Sequence, residues 1–264
     1  MKNKRIIVVF SILLAATLLA VLAGVLFSVK TAEVSLHGTT HVLKTDEVAA
    51  DFRAEEGKSI FFLRESDIIK ELEAKHPYLF CINVERNFPD KAILHAYERK
   101  ELFAVTIADK PGEYAVTDFT GKVLSVRAGN VAVAPLGDIT GNIPVDAKLP
   151  SDVKAGSTVT DKLLRNVLAA YEAYINLADN TADDFRAFAA DISVTEAQMV
   201  INTRQGTAIT VLSPSDDIVG KIRLAVGLVL DVTKNPAYGE TALAGWNLII
   251  KSASDFDSTL KING

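Results

Sequence analysis

Cysteine is almost missing from this chain, which has only Cys81 in 264 residues. A single cysteine excludes an internal disulfide and a zinc site built from several thiolates. The sequence therefore disfavours a disulfide-stapled secreted mini-domain and a thiol-based redox enzyme.

Positive charge is also in short supply, with 28 Lys and Arg against 33 Asp and Glu. Three of the basic residues (Lys2, Lys4 and Arg5) precede position 6, so the rest of the chain carries a net charge of −8. Because binding a polyanion needs a basic surface, we do not expect nucleic acid as a partner.

Charge is missing altogether from residues 6–29. At about 1.5 Å per residue this run is roughly 36 Å long, enough to cross a hydrocarbon core of ~30 Å. It predicts a membrane-embedded transmembrane helix, with residues 1–5 as a basic cytoplasmic tail. The protein would then be a single-pass type II protein of the cell membrane, with its domains extracellular or periplasmic.

A cleaved signal peptide is the alternative, since Val21-Leu22-Ala23 offers small residues at a plausible cleavage position. The apolar run continues through residues 24–27, however, beyond an ordinary signal-peptide core. This length favours an uncleaved anchor.

Residues 30–99 show a strand-helix-helix-strand-strand pattern. The first strand covers Thr31–Leu36, and Thr45 and Ser66 are the predicted N-caps of two helices. The last two strands, Phe80–Asn87 and Lys91–Glu98, are joined by a short turn.

Residues 100–251 are rich in strands and contain two long helices. The predicted elements are a hairpin of Glu113–Asp118 with Lys122–Val126, a helix capped by Thr160, a second helix opened by a capping box at residues 213–216, and a last strand at Trp246–Lys251. Residues 252–264 are predicted to form a polar C-terminal tail. The fold class is α+β: a transmembrane helix, a βααββ domain, and a mixed β-sheet domain with two long helices.

Gly57-Lys58-Ser59 matches the end of a phosphate-binding loop. That loop needs a glycine five positions before Gly57, where this chain has Phe52. We therefore interpret Gly57 as a helix-ending glycine and predict no bound nucleotide or other cofactor.

His37 and His41 have the four-residue spacing of a helical metal pair. Gly38-Thr39-Thr40 between them argues against a helix, and no third ligand is nearby. We interpret them as exposed residues of a turn and predict no metal ligand.

Nucleophilic and acid–base chemistry also lack a convincing site. No Gly-x-Ser-x-Gly motif occurs, and Cys81, which alternates with Asn83 and Glu85, has no activating neighbour. The carboxylate pairs Asp183-Asp184 and Asp216-Asp217 fall at predicted helix starts, where capping alone favours them. We predict no catalytic residue, no small-molecule substrate and no enzymatic activity.

Three motifs resemble the FtsQ/DivIB family of cell-division proteins. They are Val84-Glu85-Arg86-Asn87-Phe88-Pro89, Glu98-Arg99-Lys100, and the hairpin Val116-Thr117-Asp118-Phe119-Thr120-Gly121-Lys122-Val123. The resemblance covers roughly residues 6 to 250, with Glu101-Leu102 where the family usually has proline. It implies a POTRA domain at residues 30–99 and the family's β domain at 100–251.

The resemblance also implies partners, namely small bitopic division proteins of the FtsB/DivIC and FtsL type, held at the terminal strand and the helix before it. An open sheet edge with an aromatic anchor suits strand addition. The predicted partner-binding residues are Trp246, Asn247, Leu248, Ile249, Ile250 and Lys251. The alternative for Trp246 is a place in the core.

The leading hypothesis is a bitopic membrane scaffold of the bacterial divisome that helps to control septal peptidoglycan synthesis. The runner-up is a membrane-anchored POTRA interaction module of another envelope process, such as sporulation or secretion. An envelope hydrolase is the third.

Overall fold

The structure is a computed structural model that describes residues 2–129, 141–177, 180–233 and 243–260. The chain divides into two compact units, Met1–Arg99 and Lys100–Gly264.

The first unit begins with an N-terminal helix. A three-stranded sheet follows, with two further helices packed on one face. Its elements are α1 (Lys2–Leu26), β1 (Thr31–His37), α2 (Thr45–Phe52), two short 3-10 turns (Arg53–Glu55 and Ile60–Phe62), α3 (Glu65–Lys75), β2 (Leu79–Asn87) and β3 (Lys91–Glu98). The sheet order is β1-β3-β2, with β3 parallel to β1 and antiparallel to β2. This is the β-α-α-β-β order that the sequence predicts.

The predicted transmembrane helix at residues 6–29 needs correction. A membrane span requires about 20 consecutive, predominantly apolar residues. Within the ranges that the structure describes, no helix is both long enough and apolar enough to cross a membrane. This finding overturns the transmembrane part of the predicted fold class.

Helices α2 and α3 bury one face of the first sheet. Val48 and Phe52 of α2 and Leu72 of α3 pack with Leu79 and Leu94 of the sheet. The predicted caps are displaced: residues 44 and 64 are the N-caps, and neither makes a side-chain capping bond. Both helices instead carry two acidic residues in the first turn, which the helix dipole favours.

A β-bulge decides which way Cys81 faces. The pairing of β2 with β3 shifts between Cys81 and Asn83, so that no residue of β3 stands opposite Ile82. The Ile82 side chain is 49% exposed. Cys81 and Val84 both face the core, at 6% exposure each. The strict alternation of Cys81 with Asn83 therefore fails, because a bulge adds one residue to the strand.

The described residues of the second unit form one nine-stranded mixed sheet and three helices. Its elements are β4 (Phe103–Ile107), β5 (Glu113–Thr117), β6 (Val123–Ala128), β7 (Ile143–Leu149), α4 (Lys162–Ile175), α5 (Ala182–Phe188), β8 (Ala189–Val194), β9 (Gln198–Thr203), β10 (Ala208–Leu212), α6 (Ile218–Thr233), β11 (Trp246–Ser252) and β12 (Asp255–Leu260). The strand order is β12-β11-β10-β9-β8-β7-β4-β5-β6. The α+β class and the large mixed sheet are confirmed.

The helices α4, α5 and α6 cover one face of this sheet. Val167 of α4, Phe185 of α5 and Val226 of α6 are buried with strand residues such as Ile192 and Ile209 in one core. The opposite face carries polar cross-strand bonds, for example Thr106 Oγ1 to Asp146 Oδ1 at 3.0 Å and Asn202 Nδ2 to Asp191 Oδ1 at 2.7 Å.

Two helix starts lie later than predicted. Asp161, not Thr160, caps α4 by accepting from the N–H groups of Leu163 and Leu164. α6 begins at Ile218, and Asp217 Oδ1 accepts from the N–H of Gly220 at 3.1 Å. Side chains of Ser, Thr and Asp compete for this role, so neighbouring candidates shift a predicted boundary by a few residues.

We predict that the Cys81 thiol is unreactive while the protein is folded. Burial raises the pKa of Cys81 from 9.0 to about 12. Because the thiolate is the nucleophile, little of it forms at pH 7–9 in the folded state. Maleimide labelling of the full chain at pH 8 should be much slower than labelling in 6 M urea.

The raised pKa of Cys81 also determines how the free energy of unfolding changes with pH. Between pH 9 and 12 the unfolded thiol ionises while the folded one stays protonated, so the free energy of unfolding should fall as pH rises above 9. Cys81→Ala should flatten this part of the pH profile. Fast, complete labelling of the native protein would contradict burial.

Candidate protein-interaction edge

The terminal hairpin, residues 246–260, consists of β11 and β12 joined by the two-residue turn Ala253-Ser254. β11 pairs in parallel with β10, from Ala208 opposite Asn247 to Val211 opposite Ile250. On its other side it pairs antiparallel with β12, from Trp246 opposite Leu260 to Ser252 opposite Asp255. The prediction that Trp246–Lys251 form a free edge is therefore wrong, since both sides of β11 are bonded.

The error comes from residues 252–264, predicted as a polar tail. Residues 255–260 form β12 because the turn folds them back onto β11, which supplies the backbone partners. An antiparallel strand with one face in water needs apolar residues only at alternate positions. Phe256 and Leu260, four residues apart, are the sequence signal that sequence reasoning missed.

The six predicted partner-binding residues fall on the two faces of β11. Leu248 (4% exposed) and Ile250 (0%) lie in the core beneath α6. Trp246 shares their face by alternation and is half-buried. Asn247 Oδ1, on the other face, accepts from Thr210 Oγ1 at 2.9 Å.

The remaining two residues complete the outer face. Ile249 is half-buried, and Lys251 is exposed. Lys251 Nζ lies 2.6 Å from Asp257 Oδ2, and this hydrogen bond raises the pKa of Lys251. The pair links β11 to β12 across the hairpin, and it neutralises one of the two carboxylates of β12.

β12 is the outermost strand at this end of the sheet, among the residues that the structure describes. An edge strand presents a row of backbone N–H and C=O groups that a further strand can use. Phe256 stands opposite Ile250 and is 40% exposed, on the α6 side of the sheet. In the described part of the chain, the outer side of β12 has no strand partner, and the edge carries an exposed aromatic ring.

Helix α6 holds the hairpin at its turn. A Cβ built on Gly220 would lie 2.8 Å from the Cβ of Ala253 and would also collide with the Asp217 carboxylate. Lys221 is 2% exposed, and its Nζ donates to the carbonyls of Leu212 (2.9 Å) and Ser213 (3.1 Å) at the end of β10. The first turn of α6 thus fits closely against the sheet and the hairpin turn.

Gly57 and Asp184, which the sequence also singles out, make the following contacts. Gly57 has φ +85° and lies in a turn beside Lys58, whose Nζ pairs with Glu55 at 2.6 Å. Asp184 accepts from the N–H and hydroxyl of Thr181 in a capping box, and these bonds lower its pKa. In the described ranges, no group of three or more His, Cys, Asp or Glu is placed to hold a metal ion.

We predict that Gly220→Ala destabilises the protein, although alanine is the better helix former. The added methyl group must displace Asp217 or Ala253, and such overpacking costs about 1–3 kcal/mol. Gly227→Ala in the same helix is the matched control, because nothing lies within 4 Å of its added Cβ. It should stabilise by about 1 kcal/mol. Urea unfolding measures both; equal stabilisation by the two substitutions would contradict the close fit of α6 to the hairpin turn.

No known family model matches this chain, and no curated protein is similar enough to count as a relative. The resemblance to the FtsQ/DivIB family therefore stays a prediction from its motifs.

Proposed function

We propose that the protein is a non-enzymatic scaffold of the bacterial division machinery. It would hold small bitopic division proteins of the FtsB/DivIC and FtsL type and so help to control septal peptidoglycan synthesis. The observation that carries this proposal is the edge strand β12, paired with β11 on one side and outermost among the described strands.

Strand addition gives this edge a physical mode of binding. An extended partner segment that pairs with β12 gains main-chain hydrogen bonds, while alternate side chains supply specificity. The register of β12 with β11 is defined at six positions, which orders the edge before a partner arrives. Because the edge is already ordered, less conformational entropy is lost when a partner binds.

The side chains of β12 indicate the chemistry of the partner segment. Phe256 exposes enough of its ring to pack against an apolar residue. Asp255 and Asp257 add two negative charges, and Lys251 neutralises that of Asp257. We therefore propose a partner strand with apolar residues at alternate positions and at least one Lys or Arg.

Trp246 has a smaller part in this arrangement than in the sequence-based hypothesis. It is opposite Leu260, at the far end of β12 from the hairpin turn, and it is half-buried. Because Trp246 belongs to β11, β12 lies between its backbone and a strand added at the edge. Phe256 is the better candidate for the aromatic anchor, because its ring is the more exposed at the edge itself.

We also propose that the protein catalyses no reaction. The contacts of the carboxylate pairs support this part of the proposal. Asp184 and Asp217 each accept backbone N–H bonds at the start of a helix, Asp184 from Thr181 and Asp217 from Gly220. Carboxylates engaged in this way have a sufficient structural role.

A pair of proline substitutions tests the edge. Neighbouring strand residues point their N–H groups to opposite sides, so one of Asp257→Pro and Ser258→Pro removes an outward donor and the other an inward one. Proline is tolerated where the N–H faces solvent and is disruptive where it serves the ladder. The variant that keeps the stability of the wild type should be the one that loses partner binding.

Binding is measured by pull-down of the full chain with the FtsB/DivIC-type and FtsL-type proteins of the same cell. Asp257→Asn controls for the lost carboxylate, and thermal unfolding identifies the stable proline variant. If that stable variant binds its partners as well as the wild type does, β12 is not the docking edge.

Depletion of the protein tests the cellular process separately from the edge. Filamentous cells would support a division role. Normal septa with an export or sporulation defect would reject division and favour the other envelope process.

A further inference from the structure

Three ionisable side chains form a row across the sheet of the first unit. His37 ends β1, His95 lies in β3 and Glu85 lies in β2. His37 Nε2 is 3.3 Å from His95 Nδ1, and His95 Nε2 is 2.8 Å from Glu85 Oε2. β1 and β3 are parallel, with Ser35 opposite His95 and His37 opposite Tyr97, so the two imidazoles meet diagonally across the strands although 58 residues separate them.

The two imidazole rings meet nitrogen to nitrogen. Their centroids are 5.5 Å apart and their planes differ by 21°. With the two nitrogens only 3.3 Å apart, the centroid separation leaves the rings nearly end to end. Facing nitrogens of this kind share one proton or, in its place, one metal ion.

Glu85 orders the protons in this row. An ionised carboxylate can only accept, so the Nε2 of His95 carries the hydrogen that is donated to Glu85. The Nδ1 of a neutral His95 is then a free lone pair aimed at His37. A carboxylate that binds the far nitrogen of an imidazole is the usual support of a metal-ligating histidine.

We propose that His37 Nε2 and His95 Nδ1 form a binding site for a divalent transition-metal ion of the zinc class. Two nitrogens 3.3 Å apart, each at the usual Zn–N distance of about 2.05 Å, enclose an N–Zn–N angle of roughly 107°. This is close to the tetrahedral angle that zinc prefers. Rotation of each ring by roughly 36° turns both lone pairs from the N–N line toward the ion, and the proton of His37 moves to its Nδ1.

The site has two protein ligands and leaves the other positions to water or to an outside ligand. Imidazole ligands suit Zn²⁺, Cu²⁺ and Ni²⁺, whereas Mg²⁺ prefers oxygen. The bound ion would join β1 to β3 at the end of β1, and an open position could take a side chain from a second protein.

The chain contains two further histidines, which serve as matched controls. The ring of His41 contacts the hydroxyl of Thr39 at 3.4 Å. His76 Nε2 is 2.8 Å from Asp51 Oδ2. Neither imidazole faces another histidine in these contacts.

The first test titrates the full chain with Zn²⁺ in competition with a chromophoric chelator. We expect one equivalent to bind, and His37→Gln and His95→Gln each to weaken it by about 10- to 100-fold or more, since loss of an orienting carboxylate alone costs that much. Glu85→Gln should weaken binding less than either histidine substitution, and His41→Gln should leave it unchanged. Mg²⁺ should not compete.

A second readout uses the wild-type chain, so it does not depend on whether a variant folds. Substoichiometric Cu²⁺ should broaden the NMR signals of two of the four imidazoles, identified as His37 and His95. Binding that survives in the His37→Gln/His95→Gln double variant, or broadening centred on His41 or His76, would overturn the proposal.

Discussion

The parallel pairing of β10 with β11 is the constraint on which the interaction edge depends. Parallel neighbours cannot be joined by a tight turn, so the chain must cross over between them. Helix α6 lies in this connection and buries Ile222, Val226 and Val229 in the core of the second unit. Once α6 is packed there, β11 must lie beside β10, and the turn after Ser252 brings β12 to the outside.

Polar contacts hold this crossover in place at its start. The buried Nζ of Lys221 is bonded to two carbonyls at the end of β10, so the cation lies in a site built from backbone oxygens. A buried ammonium without such partners would be costly. The link fixes the first turn of α6 to the strand that β11 joins, and thereby fixes the hairpin that follows.

The edge strands β2 of the first unit and β12 of the second differ in the contacts of their charged neighbours. In the first unit, Glu73 Oε1 accepts from the N–H of Cys81 at 2.9 Å and Glu65 Oε1 from that of Val84 at 3.1 Å, so α3 occupies donors of β2 with carboxylates. Charged groups at an edge discourage pairing with another chain. The carboxylate of Asp257 in β12 is instead bonded to Lys251. We infer that β2 is protected against strand addition and that β12 is better suited to it than β2.

The sequence by itself determined the local elements: the strands Lys91–Glu98 and Trp246–Lys251, the hairpin of residues 113–126, and the two long helices. Alternation, helical periodicity and turn residues act over a few positions, so they can be recognised locally. Helix starts shifted by one to a few residues where several capping side chains compete. Only the tertiary structure decided that β11 is an inner strand, that the polar residues 255–260 form the edge, and that His37 meets His95. Strand order and cross-strand contacts depend on partners far apart in the chain, and a local pattern carries no information about which partner a strand will find.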